Sequence, residues 1–172
     1  MADTKISALT TDSTPDRAAD YAPTYDASAI ATKKVLLSNF GTYVIPVNLH
    51  AVAPADSTTY YMSPFPALGG LPVDPTTVKV RVARTGKIVA VYLDGLCATG
   101  SVESSTFSLR LNNTTDTTIS SAVVFNATPY SFSNTALAIA VTAGDYINVK
   151  WVTPAWATNP TGIYITAQIV FA

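Results

Sequence analysis

Residues 162–172, GIYITAQIVFA, decide the fold that the sequence predicts. Apolar side chains occupy every second position from Ile163 to Phe171, while Tyr164, Thr166 and Gln168 take positions between them. Successive side chains of a β-strand point to opposite faces of a sheet. The period of two therefore predicts a strand with one buried face and one face in solvent.

The same alternation recurs upstream of this strand. In residues 145–152 (DYINVKWV) it places Ile147, Val149 and Trp151 on one side, and residues 106–111 (TFSLRL) alternate likewise. Further candidate strands are 42–49, 58–62, 77–83, 87–93, 119–125 and 136–141, and residues 63–76 read as a long connection because they are rich in Pro and Gly. About nine short strands without a clear helix predict an all-β jelly-roll sandwich.

The first forty residues differ in composition from the rest. They hold nine of the twenty-one charged side chains, and their apolar residues fall into two small clusters separated by a polar stretch. Such a segment has too little apolar surface to form its own core. We therefore predict two regions, an extended N-terminal arm at residues 1–41 and a jelly-roll body at residues 42–172.

Composition argues against nucleic acid and against a membrane as partners. Charged residues make up 12% of the chain, the net charge is -1 and the sequence pI is about 5.6, so nucleic acid is not an expected partner. The basic residues between Lys79 and Lys87 are interpreted as a solvated strand and turn. The sequence has no run of eighteen apolar residues, so membrane insertion is not expected. The N-terminus lacks the pattern of a secretory signal, so we expect a soluble product made in the cytosol.

The residue inventory gives no basis for an enzyme. A single histidine, His50, and a single cysteine, Cys97, do not assemble a zinc site or a nucleophilic triad. Phosphate-binding and dinucleotide-binding glycine motifs are also missing. We therefore predict no catalytic residue, no metal and no cofactor. Cys97 is interpreted as a small buried residue, and Asn112, Asn113 and Asn126 as turn residues.

Aromatic side chains outside the strands are the remaining candidates for ligand binding. Trp156 lies in the loop TPAWATNPTG, where it could stack on a sugar, plug a subunit contact or pack within its own loop. Tyr130 lies in another loop near a proline. Trp156 and Tyr130 are therefore the candidate ligand-binding residues.

The arm resembles the N-terminal attachment segments of tailed-bacteriophage fibre, spike and head-decoration proteins. Those segments begin with a K-I-S/T-A-L motif, continue through a polar spacer and close with T-K-K-V/I-T-L-x-x-L/F. Residues 5–9 match the first motif and residues 32–40 match the second, with Leu36 in place of the usual Thr. The resemblance implies docking to the virion through Lys5, Ile6, Leu9, Lys33, Lys34, Val35, Leu36, Leu37 and Phe40.

The body resembles the jelly roll of the tumour-necrosis-factor and complement globular-domain type, which phages use as trimeric knobs. The likeness is carried by TYYMSP, STFSLRLNNTTDT and VTAGDYINVKWVTPA, followed by the apolar final strand. The resemblance implies a homotrimer. The low charge of the body agrees with this expectation, because obligate interfaces are poor in Lys and Glu.

Two functions follow from these resemblances. The first is a non-enzymatic virion structural protein, a short head fibre or capsid decoration protein that is assembled in the host bacterial cytoplasm and anchored to capsid proteins by its arm. The second is a tail fibre protein that binds a host surface glycan through its loops. The absence of a coiled-coil or β-helix shaft between arm and body favours the first.

Overall fold

A computed structural model describes residues 42–51, 53–64, 71–127 and 129–172 in full, and residues 21–26 and 31–36 by their backbone. The chain divides into two units, residues 1–42 and residues 43–172. In the first unit, β1 (Tyr21–Asp26) and β2 (Ala31–Leu36) pair as an antiparallel ribbon with Tyr21 opposite Leu36. The residue pattern predicts no strands there, because a ribbon held by backbone hydrogen bonds needs no apolar alternation.

The second unit contains ten strands within the part of the chain that the structure describes. They are β3 (Tyr43–Ala51), β4 (Thr59–Tyr61), β5 (Val80–Arg81), β6 (Gly86–Leu96), β7 (Ser105–Leu111), β8 (Thr115–Val123), β9 (Tyr130–Asn134), β10 (Ile139–Val141), β11 (Tyr146–Val152) and β12 (Ile163–Phe171). The described residues include no helix long and apolar enough to cross a membrane.

These strands form two antiparallel sheets. Sheet I has the order β10-β6-β12-β3, with β9 also paired to β6, and sheet II has the order β4-β11-β7-β8, with β5 also paired to β11. We count β4 with β5 as one interrupted strand, and β9 with β10 as another. This gives eight strand positions, numbered in chain order. Sheet I then takes positions 1, 8, 3 and 6, and sheet II takes positions 2, 7, 4 and 5. This order is that of a jelly roll, so the predicted fold class is confirmed.

The final strand lies at the centre of sheet I, as its alternation requires. β12 pairs with β3 along its whole length and with β6 on its other side. The side chains of β12 that point into the sandwich are all apolar and at most 3% exposed; these are Ile163, Ile165, Ala167, Ile169 and Phe171. Each fully buried Ile or Phe contributes about 1.5–3 kcal/mol relative to an exposed one.

Trp151 of β11 fills the middle of the core from sheet II. It is fully buried, and its ring lies 5.3 Å from that of Tyr60, 5.5 Å from that of Phe125 and 5.9 Å from that of Phe107, measured between centroids. Ile147 and Val149 point the same way and are also fully buried. The predicted inward face of residues 145–152 is therefore confirmed.

Two predicted strands differ most from those observed. The expected strand 77–83 is regular only at Val80–Arg81, because the Val78 carbonyl accepts a hydrogen bond from the Asn148 side chain (3.0 Å) rather than from a neighbouring strand. The expected strand 119–125 instead runs from Thr115 to Val123. Its first residues are polar and lack apolar alternation, yet they pair with the end of β7.

Candidate functional site

The outer face of sheet I is the surface most unlike an ordinary solvated sheet. We define it by eleven side chains that point away from the core: Val44, Pro46, Asn48 and His50 from β3; Tyr164, Thr166, Gln168 and Val170 from β12; and Tyr92, Asp94 and Leu96 from β6. Their alternation with buried residues follows from the two-residue period of each strand.

An aromatic and apolar row crosses one end of this face. His50 lies opposite Tyr164 on the β3–β12 pair, and Leu96 lies opposite Tyr164 on the β12–β6 pair. The His50 and Tyr164 rings stack, with centroids 4.3 Å apart and planes 15° from parallel. Tyr164 is 52% exposed and Leu96 is 46% exposed, so the row presents apolar surface to solvent.

A polar row lies next to it. Asn48, Thr166 and Asp94 stand side by side on β3, β12 and β6, and Ser131 of β9 follows Asp94. The Thr166 hydroxyl donates to Asn48 Oδ1 at 3.0 Å, and the Ser131 hydroxyl donates to Asp94 Oδ1 at 2.6 Å. Each of these side chains therefore has a hydrogen-bond partner within the sheet.

Exposed apolar side chains concentrate on this face. Of the six large hydrophobic side chains exposed in the described part of the chain, four belong to it; these are Val44, Tyr92, Leu96 and Tyr164. Val73 and Val102 lie elsewhere. Among the eleven described side chains of the face, Asp94 carries the one formal charge at neutral pH, with His50 taken as neutral.

The outer face of sheet II is charged instead. Asp116 accepts from Lys150 Nζ at 2.6 Å and from Arg110 Nη1 at 3.4 Å. Asn148, also on this side, is fully buried because the segment around Pro75 and Val78 covers it and accepts its amide hydrogens. The two sheets therefore differ in surface chemistry. Sheet II carries an ion cluster and a covering segment, whereas the exposed side chains of sheet I are mostly uncharged apart from Asp94 and Lys87.

Trp156, a predicted ligand-binding residue, is buried. It is 6% exposed and packs on Trp151, with ring centroids 6.1 Å apart. Glu103 Oε1 accepts from the neighbouring Ala157 N–H at 3.0 Å and holds the loop. A sugar-stacking platform needs an exposed ring face, which Trp156 does not offer. The indole packs inward against Trp151 of β11.

Tyr130, the second predicted ligand-binding residue, begins β9 and packs edge-on against Phe125, with centroids 5.7 Å apart. Its hydroxyl oxygen is buried without a hydrogen-bond partner in the described structure, and burial raises the pKa of the phenol above its ordinary value. The two candidates therefore do not form an exposed pair. Tyr92 and Tyr164 are the aromatic rings that sheet I presents, and the signal for Tyr164 was its place on the polar side of the final strand.

The other predicted site residues lie in the arm. Lys33, Lys34, Val35 and Leu36 are on strand β2, of which the backbone is described. Lys5, Ile6, Leu9, Leu37 and Phe40 lie outside the described residues. Their part in virion docking stays a prediction.

Cys97, the residue considered as a possible nucleophile, is part of the hydrophobic core. Cys97 is 3% exposed and its thiol contacts the Asn126 carbonyl oxygen at 2.9 Å, so the predicted small buried residue is confirmed. Burial raises the pKa of the Cys97 thiol, which disfavours the thiolate. The described residues contain no group of three or more His, Cys, Asp or Glu side chains that could hold a metal ion.

The basic residues at 79–87 pack on tyrosines. Lys79 Nζ lies 4.6 Å from the Tyr146 ring centroid, and the Arg84 guanidinium lies 4.7 Å from that of Tyr43. Arg81 donates to the Gly144 carbonyl at 2.8 Å. These contacts tie the basic residues to β3, to β11 and to the turn at Gly144.

Comparison with known proteins shows no family for the chain. No family model and no curated protein matches the chain. Solved structures that are similar to the chain have low sequence identity to it. FlhE is 10% identical with a TM-score of 0.44, covering 76% of this chain and 97% of that one. Eiger TNF from S. frugiperda is 17% identical with a TM-score of 0.38, covering 75% and 93%.

The third structure is a Podospora anserina GH26-CBM35 β-(1,4)-mannanase. It is 15% identical with a TM-score of 0.35, covering 74% of this chain and 28% of the mannanase. Scores of this size transfer no activity or partner to the chain. The all-β jelly-roll assignment rests on the strand order of the two sheets.

Proposed function

We propose that the chain is a non-enzymatic virion structural protein of a tailed bacteriophage, a short head fibre or capsid decoration protein. In this proposal residues 1–41 anchor the protein to the particle and the jelly-roll body, as a homotrimer, is displayed outward. The observation that carries the proposal is that one chain contains both arm motifs, Lys5–Leu9 and Thr32–Phe40, and a separate body of the type that phages use as knobs.

The arm motif supplies a physical reason for docking. Val35, Leu36, Leu37 and Phe40 are close together in sequence, and a chain segment this apolar gains free energy when a partner covers it. At about 25 cal/mol per Å² of apolar area, their burial contributes several kcal/mol before the cost of ordering the segment. Three arms in one trimer bind more tightly than one, because the second and third bind at high effective concentration.

The test is incorporation into particles of the phage that encodes the chain. The charge-reversed arm variant Lys33→Glu/Lys34→Glu and the variant Leu36→Asp are each compared with Lys87→Glu, which changes a body charge. Purified particles are then assayed for the protein by immunoblot. The proposal predicts at least a tenfold loss of incorporation for the two arm variants and normal incorporation for Lys87→Glu. Equal incorporation of all three contradicts it.

A second candidate function is a tail fibre protein that binds a host surface glycan. The observation that favours it is the pair of exposed tyrosines, Tyr92 and Tyr164, with the polar row of Asn48, Thr166 and Asp94 between them. Rings and hydrogen-bonding groups together can recognise sugars. Loss of phage adsorption to host cells in a Tyr92→Ser variant that still enters particles would favour this candidate.

A further inference from the structure

We infer that one face of the β1–β2 ribbon is the surface that docks on the particle, and that its partner is an apolar protein surface with a carboxylate at its centre. The inference rests on the proposed function and deepens it, because it names the arm residues that share the docking face. The register of the two strands divides the arm motif between two faces, and only one of these faces has the composition of an interface.

The register assigns every residue of β1 and β2 to a face. Successive residues of a strand alternate between faces, and residues directly opposite each other in an antiparallel pair share a face. Three pairs form one face, which we call the tyrosine face; these are Tyr21 with Leu36, Pro23 with Lys34, and Tyr25 with Thr32. Three pairs form the other, which we call the alanine face; these are Ala22 with Val35, Thr24 with Lys33, and Asp26 with Ala31.

This division separates neighbours in the arm motif. Lys33 and Lys34 are adjacent in sequence but lie on opposite faces, and the same holds for Val35 and Leu36. A contact through one face of the ribbon therefore uses one lysine and one large apolar residue of β2. The sequence motif alone does not distinguish the members of either pair.

The tyrosine face has the composition of a protein interface. It combines Tyr21 and Tyr25 with Leu36, and tyrosine is enriched at interfaces whereas Ala, Asp and Lys are depleted. Two tyrosines can bury about 300–500 Å² against a partner. The alanine face holds two alanines and the opposite charges of Asp26 and Lys33, a composition that suits contact with water. The tyrosine face is therefore the one that gains more free energy from being covered.

A two-stranded ribbon needs a surface of this kind to pack on. An isolated hairpin is at best marginally stable in water, and stability requires a further strand or a partner against which one face is buried. In the proposed function the particle supplies that partner. Docking through the tyrosine face then stabilises the ribbon and anchors the chain in one step.

Lys34 specifies the chemistry of the partner. It carries the one formal charge among the six residues of the tyrosine face, and its pair with Pro23 is the middle pair of the three. A charge that is covered by another protein is costly unless it is paired. An Asp or Glu of the partner therefore has to lie opposite Lys34, with apolar surface on both sides of it for the pairs that contain Tyr21 and Tyr25.

The test compares adjacent residues on opposite faces. In the phage that encodes the chain, Lys34→Gln is matched with Lys33→Gln, and Leu36→Ser is matched with Val35→Ser. Tyr25→Ser probes a tyrosine-face residue outside the arm motif. Purified particles are assayed for the protein by immunoblot. The melting temperature and the sedimentation mass of each purified variant show whether the change affects the free protein.

We expect Lys34→Gln, Leu36→Ser and Tyr25→Ser each to lower incorporation about tenfold or more, the size of effect typical of residues at the centre of an interface. Lys33→Gln and Val35→Ser should stay within about threefold of the wild type, as expected of solvated positions. All five purified variants should keep the melting temperature and the mass of the wild-type protein.

Equal losses within both matched pairs overturn the inference and leave virion docking standing. Normal incorporation of all three tyrosine-face variants also overturns it, and the double variant Lys33→Glu/Lys34→Glu then decides docking separately. A lower melting temperature of free Tyr25→Ser assigns the tyrosine face to the body of its own chain, and a changed mass assigns it to a second copy. Either of these results overturns the inference as well.

Discussion

Tyr164 and His50 lie opposite each other on β12 and β3 with their rings stacked 4.3 Å apart between centroids. Both side chains belong to the outer face of sheet I, so this contact joins two strands on the solvent side. On the core side, Ile163 of β12 lies opposite Ala51 of β3. The relationship makes the outer face a structured surface rather than a set of separate exposed side chains.

The first prediction concerns this pair. Cross-strand aromatic pairs contribute about 0.2–1 kcal/mol, so a double-mutant cycle with His50→Ser and Tyr164→Ser should give a coupling free energy of about 0.5 kcal/mol in urea unfolding at pH 8. Unfolding of an associated protein depends on concentration, so all four proteins are measured at one fixed concentration. A coupling free energy of zero would show that the stacked rings do not stabilise each other.

The second prediction concerns Trp156. Because its side chain is buried against Trp151, we expect Trp156→Ala to lower the free energy of unfolding by about 3–5 kcal/mol. Val102→Ala, at an exposed position, should change it by less than about 0.5 kcal/mol. Both values come from urea denaturation. If the Trp156→Ala protein is as stable as the wild type, the indole is not buried, and Trp156 is again a candidate for ligand binding at the surface.

The third prediction concerns acid stability. The Asn112 side chain and the Thr142 backbone N–H donate to Asp145, and they hold the pKa of this carboxyl below its usual 3.8. A lowered carboxyl pKa stabilises the folded state above pH 3.8, and the contribution is lost as the pH falls through the folded pKa. Stability should therefore decline on acidification below about pH 4.

The test is an NMR titration of the Asp145 carboxyl in Asn112→Gly, with Asn113→Gly as the control. Both asparagines have positive φ (49° and 59°), which glycine tolerates, so neither change strains the turn. Removal of the Asn112 amide should raise the Asp145 pKa toward 3.8, and the Asn113 change should leave it in place. The same pKa in both variants would mean that Asn112 is not the cause.

The fourth prediction concerns the ion cluster on sheet II. Asp116, Arg110 and Lys150 have side chains 34%, 20% and 19% exposed, so solvent weakens their attraction. We expect Asp116→Asn to lower the free energy of unfolding by no more than about 1 kcal/mol. The loss should shrink in 1 M NaCl, where the Debye length is about 3 Å. A loss that is the same at both salt concentrations would argue against an ionic origin.

The sequence predicted the strands whose apolar side chains alternate. β11 and β12 agree with the expected ranges within one residue at each end, because both have one face in a single core. β9 was not predicted, because its sequence YSFSN alternates only weakly. The strand forms by pairing with the edge of β6. The β1–β2 ribbon was missed for a related reason, since backbone pairing rather than side-chain burial defines it.

The candidate site was harder to predict than the fold. Trp156 lies in a Pro-containing loop and was a candidate for a ligand contact, but the loop folds back so that the indole covers Trp151. Tyr164, in contrast, is exposed, because it lies on the polar side of an alternating strand. Tyr92, Leu96 and Tyr164 come from two strands, and only the register of β6 against β12 shows that they share a face.

A cryo-EM map of the intact particle tests the central claim most directly. The proposed function predicts three jelly-roll bodies around a threefold axis. Residues 32–40 of each copy should be ordered against a capsid protein. Particles that lack the protein, or bodies held to the particle with no contact from residues 1–41, would contradict the account.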